Sequence, residues 1–119
     1  MAQHNELGEK GEELAVEFLL KKGYTILERN YRFDKAEVDV IAKIKDTLAI
    51  IEVKARSTRD FGDPQDFVKP KQIQNLVKAV DAYINENDLD LDVRFDIVAI
   101  VQQGQVFNIE HLEDAFYHF

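Results

Sequence analysis

Leu48-Ala49-Ile50-Ile51-Glu52-Val53-Lys54 reads as a strand that begins apolar and ends in two charges. Glu52 and Lys54 stand two positions apart, so a pleated strand projects both from one face. Upstream, Ala36-Glu37-Val38-Asp39-Val40-Ile41-Ala42 is built the same way, with Glu37 and Asp39 two apart. Charges on core strands are costly unless they are paired or hold a metal. That cost marks the pair of strands as a candidate catalytic site.

Residues 37–44 and 47–55 read as a hairpin around Lys45-Asp46. A two-residue turn there sets Asp39 opposite Glu52 and Glu37 opposite Lys54, all on one side of the sheet, with opposed Cβ atoms roughly 5 Å apart. A loop one residue longer would send these charges to opposite faces. Two carboxylates so placed repel and raise each other's pKa, and a divalent cation resolves the conflict. Hard oxygen ligands, with no cysteine in the chain and no histidine nearby, favour Mg²⁺ or Mn²⁺ over Zn²⁺.

Residues 6–22 have a helical pattern. Gly8, Gly11, Ala15, Phe18 and Leu19 share one arc of the wheel, and Glu6, Glu9, Glu13, Glu17 and Leu20 lie broadly opposite. Glu12 alone among these glutamates falls inside the apolar arc, about 60° from Ala15. It is the candidate third acid. Gly23 ends the helix, and residues 24–31 form a first strand. Beyond the hairpin, residues 56–68 are a polar loop with Gly62 and Pro64. Pro70 opens a second helix, to about residue 86, with an apolar stripe of Ile73, Leu76, Val77, Val80 and Ile84. Strands follow at 92–101 and 105–109, and the tail, 112–119, reads as a short helix. The order of helix, three strands, helix and two strands predicts an α/β fold with a mixed sheet. At 119 residues, one domain spanning 1–119 is expected.

The composition, 45% hydrophobic and 32% charged, is that of an ordinary soluble globular protein. No apolar run approaches the roughly 20 residues of a membrane span, and Met1-Ala2-Gln3-His4-Asn5 lacks the features of a signal peptide. A cytoplasmic protein with no membrane partner is expected. The net charge of −8 argues against a simple nucleic-acid coat. The acidic excess, however, lies in the last third, and residues 21–60 lean basic. His4, His111 and His118 lie near the termini without metal-ligand spacing. Phe18, Tyr24, Phe33, Phe95 and Phe107 read as core rather than as a base-stacking platform.

Asp39 followed by Glu52-Val53-Lys54 resembles the Asp…(Asp/Glu)-x-Lys motif of the restriction-endonuclease-like PD-(D/E)xK nucleases. With Gly11-Glu12 and Gly23-Tyr24 the chain is similar to archaeal Holliday-junction resolvases. It resembles the bacterial YraN family more closely, through Gly11-Glu12, Arg29-Asn30-Tyr31-Arg32, Glu37-Val38-Asp39, Glu52-Val53-Lys54-Ala55-Arg56, Lys71-Gln72 and Arg94-Phe95-Asp96. These motifs cover nearly the whole chain in order, with one departure: Ala36 stands where that pattern usually has glycine. The resemblance implies a restriction-endonuclease-like αβββαβ core, with helices on both faces of a mixed central sheet, and metal-dependent cleavage of DNA. Asp39 and Glu52 would be the metal ligands, with the Val53 carbonyl an additional one. Lys54 would orient the attacking water and stabilise developing phosphate charge, and Glu12 would serve a second metal or a metal-bound water.

Other residues read two ways. Glu37 is a metal ligand or the salt-bridge partner of Lys54. Lys71 and Gln72 open a helix and could meet phosphate, although Lys71 lies on the outward side of the wheel. Arg56, Ser57, Thr58 and Arg59 follow the motif and could grip backbone phosphates, or form an exposed loop. Arg29 and Arg32 line the same rim, or pair with Glu28 and Asp34. Arg94 and Asp96 read as partners for neighbours. The leading expectation is a Mg²⁺-dependent endonuclease acting on DNA, with branched or damaged DNA as candidate substrates, in genome maintenance. The alternatives are a nucleic-acid-binding module without turnover and a protein-interaction domain. Resolvase-like action would need two sites, hence a homodimer, to which Phe116, Tyr117 and Phe119 could contribute.

Overall fold

The computed structural model describes residues 2–57 and 69–115, with side chains from residue 7 onward. Its elements are α1 (Ala2–Lys21), β1 (Thr25–Phe33), β2 (Ala36–Ile44), β3 (Thr47–Arg56), α2 (Pro70–Asn87), β4 (Asp92–Gln103) and β5 (Val106–Leu112). They form a five-stranded sheet in the order β1-β2-β3-β4-β5. The β3–β4 pair is parallel, connected through α2, and the other pairs are antiparallel. This is the expected α/β fold with a mixed sheet. Among the described residues no helix is long and apolar enough to cross a membrane.

Local chemistry sets the boundaries. Gly23 takes φ 99 just past α1, with its N–H bonded to the Leu20 carbonyl and the Tyr24 N–H to that of Leu19. These two bonds satisfy carbonyls that the helix end leaves open. Pro70 stands at the start of α2, after Lys69 in extended conformation. Lys45 adopts φ 53 in the β2–β3 turn.

Alternation then distributes the core over both faces. On one, α2 buries Leu76, Ala79, Val80 and Tyr83 against Val38, Ile41, Leu48, Ile50 and Phe95. On the other, α1 buries Ala15 and Leu19 against Val40, Ala42, Ala49, Ile51, Val98 and Ile100. Gly11 makes this packing close, because a Cβ built on it would stand 2.8 Å from the Cβ of Ala55.

Three expectations need correction or limits. Leu112 ends β5 and Glu113-Asp114 form a turn, so the described part of the tail is not helical. The Ala115 N–H bonds the Phe95 carbonyl at 2.8 Å and ties the chain back to β4. Phe33 is 39% exposed and is not a core residue, unlike Tyr24 and Phe95. Thr58, Arg59, the rest of the loop to residue 68, and Phe116, Tyr117, His118 and Phe119 lie outside the described residues.

Candidate active site

The β2–β3 ladder has the register of a two-residue turn, pairing Ile44 with Thr47 through to Val40 with Ile51. It stops there, one step short of Asp39 and Glu52. In place of the next ladder bond, the Asp39 Oδ2 accepts the backbone N–H of Val53 at 2.8 Å. The alternation of β2 also changes phase at this point. Ala36 and Val38 face α2, whereas Val40 and Ala42 face α1. On the neighbouring strand Arg29 pairs with Val40 and Tyr31 with Val38, which leaves Asn30 beside Asp39. Asn30 takes φ 55, a conformation that asparagine tolerates better than most residues. The sheet opens where the acids stand.

Glu52 lies on the α2 face, with Lys54 Nζ 3.7 Å from its Oε2 and the Gln72 Nε2 donating to the same oxygen at 3.1 Å. The other carboxylate oxygen, Oε1, is buried and has no hydrogen-bond partner. Such an orphan is rare in a native interior and calls for a cation, a proton or a water. Burial, reinforced by the charge of Asp39, raises Glu52 to about 7 against the pull of Lys54 and Gln72. Burial raises Asp39 to about 6; Glu12 and Glu37 add to the rise, and the Val53 N–H and Lys54 oppose it. Both groups open on a cleft of about 440 Å³ whose lining includes Lys35, Ala36, Glu37, Lys71, Gln72 and Asn75.

The remaining candidates divide. Glu37 does not pair with Lys54; its Oε2 lies 3.4 Å from Arg32, its cross-strand partner. The phase change upstream of Val40 is the reason, since the register that would oppose Glu37 to Lys54 does not continue that far. Glu12 is close enough to raise Asp39 but approaches from the α1 side. There it lines a separate concavity of about 430 Å³ with Glu9, Lys10, Glu13, Arg29 and Asn30. Arg29 lies 3.8 Å from Glu12 and 3.4 Å from Glu13, not on Glu28. Among the described residues no three His, Cys, Asp or Glu side chains group closely enough to hold an ion. Asp39 and Glu52 are therefore the two acids that the fold brings together. Val53 contributes its N–H to Asp39 and packs its side chain toward α1.

Of the residues read as phosphate contacts, Lys71 lines the cleft and Ser57 is exposed. Arg56 donates to the Ala55 carbonyl at 2.9 Å. Gln72 turns inward to Glu52. A signal for this was present: Gln72 precedes Leu76, Ala79, Val80 and Tyr83 by four, seven, eight and eleven positions, which puts it in the buried stripe of α2.

Sequence reasoning also missed His111, which belongs to a buried polar network on the α1 face. Asp96 is fully buried and accepts two bonds from Arg94 at 2.9 and 2.8 Å, and the Asp114 N–H at 3.0 Å. His111 Nε2 lies 2.8 Å from Asp96, and its Nδ1 lies 2.8 Å from the Lys22 ammonium. An ammonium only donates, so Nδ1 accepts and Nε2 carries the proton toward Asp96. Arg94 donates to the Tyr24 hydroxyl as well. Burial alone would raise Asp96, but the bonds from His111, Arg94 and Asp114 outweigh it and hold the carboxyl below its usual range. No histidine spacing could reveal this, because its members are distant in sequence.

Comparison with known proteins adds relatives of the whole chain. A UPF0102 protein of Flavobacterium psychrophilum is 62% identical over 119 residues, covering 100% of both chains. One from Christiangramia forsetii is 64% identical over the same span, again covering both completely. One from Phocaeicola vulgatus is 45% identical over 117 residues, 98% of this chain and 97% of its own. The profile described as "Uncharacterised protein family UPF0102", the YraN family of the sequence reading, matches residues 11–100, which contain α1 from Gly11, the hairpin with Asp39 and Glu52, α2 and most of β4. The chain belongs to the UPF0102 family.

Proposed function

We propose that this chain cleaves DNA phosphodiester bonds with the help of a divalent cation. The observation that carries the reading is the Asp39–Glu52 pair: two carboxylates at a break in the sheet, one with a buried oxygen lacking any partner, and an ammonium 3.7 Å away. The resemblance of Asp39 and Glu52-Val53-Lys54 to the PD-(D/E)xK nuclease motif supports it.

The donor set fits a hard cation. Mg²⁺ and ions like it keep several waters and need only one or two carboxylates, so the lack of a third acid beside the pair does not count against Mg²⁺ or Mn²⁺. Asp39 and Glu52 would hold the ion, with the Val53 carbonyl, Glu12 and Glu37 available to its waters. When bound, it would supply charge neutralisation at the phosphate and activation of water. The chain's own groups do the rest. Lys54 directs its ammonium at the charge that develops on the phosphate. Gln72 holds Glu52 in one orientation. Lys35 and Lys71, on the two sides of the cleft, attract the DNA backbone.

The test is cleavage of linear and branched DNA in Mg²⁺ or Mn²⁺ by the wild type and by Asp39→Ala and Lys54→Ala. Loss in both variants is expected, and activity surviving in both overturns the site. Titration with Mn²⁺ without DNA supplies an independent readout. The small size and overall acidity of the chain, 119 residues with a net charge of −8, favour one second reading, a DNA-binding module without turnover. That reading predicts salt-sensitive binding that metal does not change. Paired cleavage of a branched substrate would further require a homodimer, and a monomeric mass at high concentration argues against it.

A further inference from the structure

The β1–β2 hairpin ends in an aromatic ring that the core does not take. Phe33 is 39% exposed and stands opposite Ala36, the last pair of the ladder. Directly opposed residues share a face of the sheet, with Cβ atoms roughly 5 Å apart. Ala36 lines the cleft of Asp39 and Glu52, so the ring stands one strand's width from the cleft wall. Tyr31, two residues back on the same face, is packed edge-on against Tyr83, with ring centroids 5.2 Å apart. Phe33 continues that row to the hairpin tip, where its ring reaches solvent.

The ladder holds the ring in place, and the neighbouring cleft carries two lysines alongside Glu37, Asp39 and Glu52. The ladder pairs right up to Phe33, and the turn that follows holds Asp34 at φ 55. Lys35 in that turn and Lys71 on α2 line the same cleft, and neither makes an ion pair among the described residues. An apolar ring next to a cleft that carries two lysines matches a nucleotide: a base for the ring and phosphates for the ammonium groups.

We infer that Phe33 is a base-stacking residue that takes an unpaired nucleobase beside the bond to be cut. The inference rests on the DNA-cleaving reading for its ligand and narrows the substrate class. In continuous duplex both faces of every base are already stacked. A fork, a flap or a frayed end offers a base with a free face, and such DNA is the substrate this hairpin selects.

The experiment measures binding, not cleavage. Full-length protein in EDTA is titrated into fluorescein-labelled forked DNA and, separately, into a fully paired duplex of equal length, with anisotropy as readout. A 2-aminopurine at the first unpaired position reports stacking by its quenching. Stacking on an aromatic side chain changes affinity by a factor of about 5 to 150 per base. Phe33→Ala should therefore weaken fork binding at least about fivefold and abolish the quenching, with duplex affinity unchanged. Phe33→Trp should retain both, and Phe33→Leu, which keeps apolar bulk without a π face, should behave as alanine does. Fork affinity unchanged in Phe33→Ala, or restored in full by leucine, overturns the inference and leaves the nuclease reading standing. Failure of the wild type to bind either DNA, both in EDTA and with Ca²⁺ in its place, overturns both. Loss of self-association in Phe33→Ala with DNA affinity intact assigns the ring to a protein contact instead and overturns it too.

Discussion

Asp39 and Glu52 are acids whose protons the folded chain holds more tightly than water does. Their ordinary values are 3.8 and 4.5, and the fold moves them to about 6 and about 7. Between these limits the native state binds more protons than the unfolded chain, so stability falls as pH rises. The contribution is fully present below about pH 4 and is lost as pH passes through 6 to 7. Metal-free protein should accordingly show a higher urea midpoint at pH 5.5 than at pH 8. Glu52→Gln should flatten that slope and stabilise the metal-free protein at pH 8 by about 1–3 kcal/mol; a slope that survives the substitution would count against the pair as its source. Gln72 acts on the same carboxylate through one bond of 3.1 Å. On the proposed reading of Glu52 as a metal ligand, a group that orients it contributes roughly tenfold or more to metal affinity. Gln72→Ala should weaken Mn²⁺ binding by about that factor in calorimetry, with the thermal transition nearly unchanged.

At the scale of elements, the contact between α1 and β3 decides how near Glu12 comes to the opening in the sheet. Gly11 permits that contact, since a methyl group there would stand 2.8 Å from the Ala55 Cβ. Both atoms are fixed to backbone, so neither can swing aside. Gly11→Ala should destabilise the protein by about 1–3 kcal/mol. Ala55→Gly in the same chain should recover most of the loss, and a double-mutant cycle in urea measures the coupling. Additive losses would show that the helix, not the contact, resents the substitution. The break between β2 and β3 has a related consequence. It removes a ladder bond to β2, and Asp39 replaces it with a side-chain bond to Val53, which fixes this carboxylate beside Glu52.

For the molecule as a whole, the Asp96 network joins parts that the sheet alone does not hold together. Lys22 follows α1, Tyr24 precedes β1, Arg94 and Asp96 belong to β4, His111 to β5, and Asp114 to the turn after it. Asp96→Ala leaves Arg94 and His111 facing a buried void, and removing one partner of a buried ion pair costs about 3–5 kcal/mol. Urea unfolding at pH 7 should show a loss of that size. The pH dependence has the opposite sign to that of the Asp39–Glu52 pair. Because Asp96 is held below its ordinary value of 3.8, its contribution is present above that value and is lost as pH falls through its folded value.

Much of this could be read before any tertiary structure was known. Alternation, helix phase, Gly23 and Pro70 are local signals, and they place the helices and strands in order, along with the two-residue turn that aligns β2 with β3. They also single out Asp39, Glu52, Lys54 and Glu12, because a charge in an apolar pattern stands out whatever surrounds it. The same phase places Gln72 in the buried stripe of α2, although an uncharged side chain there stands out less than an acid. Other features have no local signature. The phase change at Asp39 depends on β1 as well as β2, and the pairing of Glu37 with Arg32 follows from it. The side from which Glu12 approaches Asp39 depends on which face each helix covers. The hydrogen bonding of His111 depends on Lys22, 89 residues away. Neighbours a few positions apart are enough to specify the elements and the residues with chemistry to offer. Which of those residues meet is settled by the folded arrangement, because burial and long-range pairing set the charge and hydrogen-bond energies of each one.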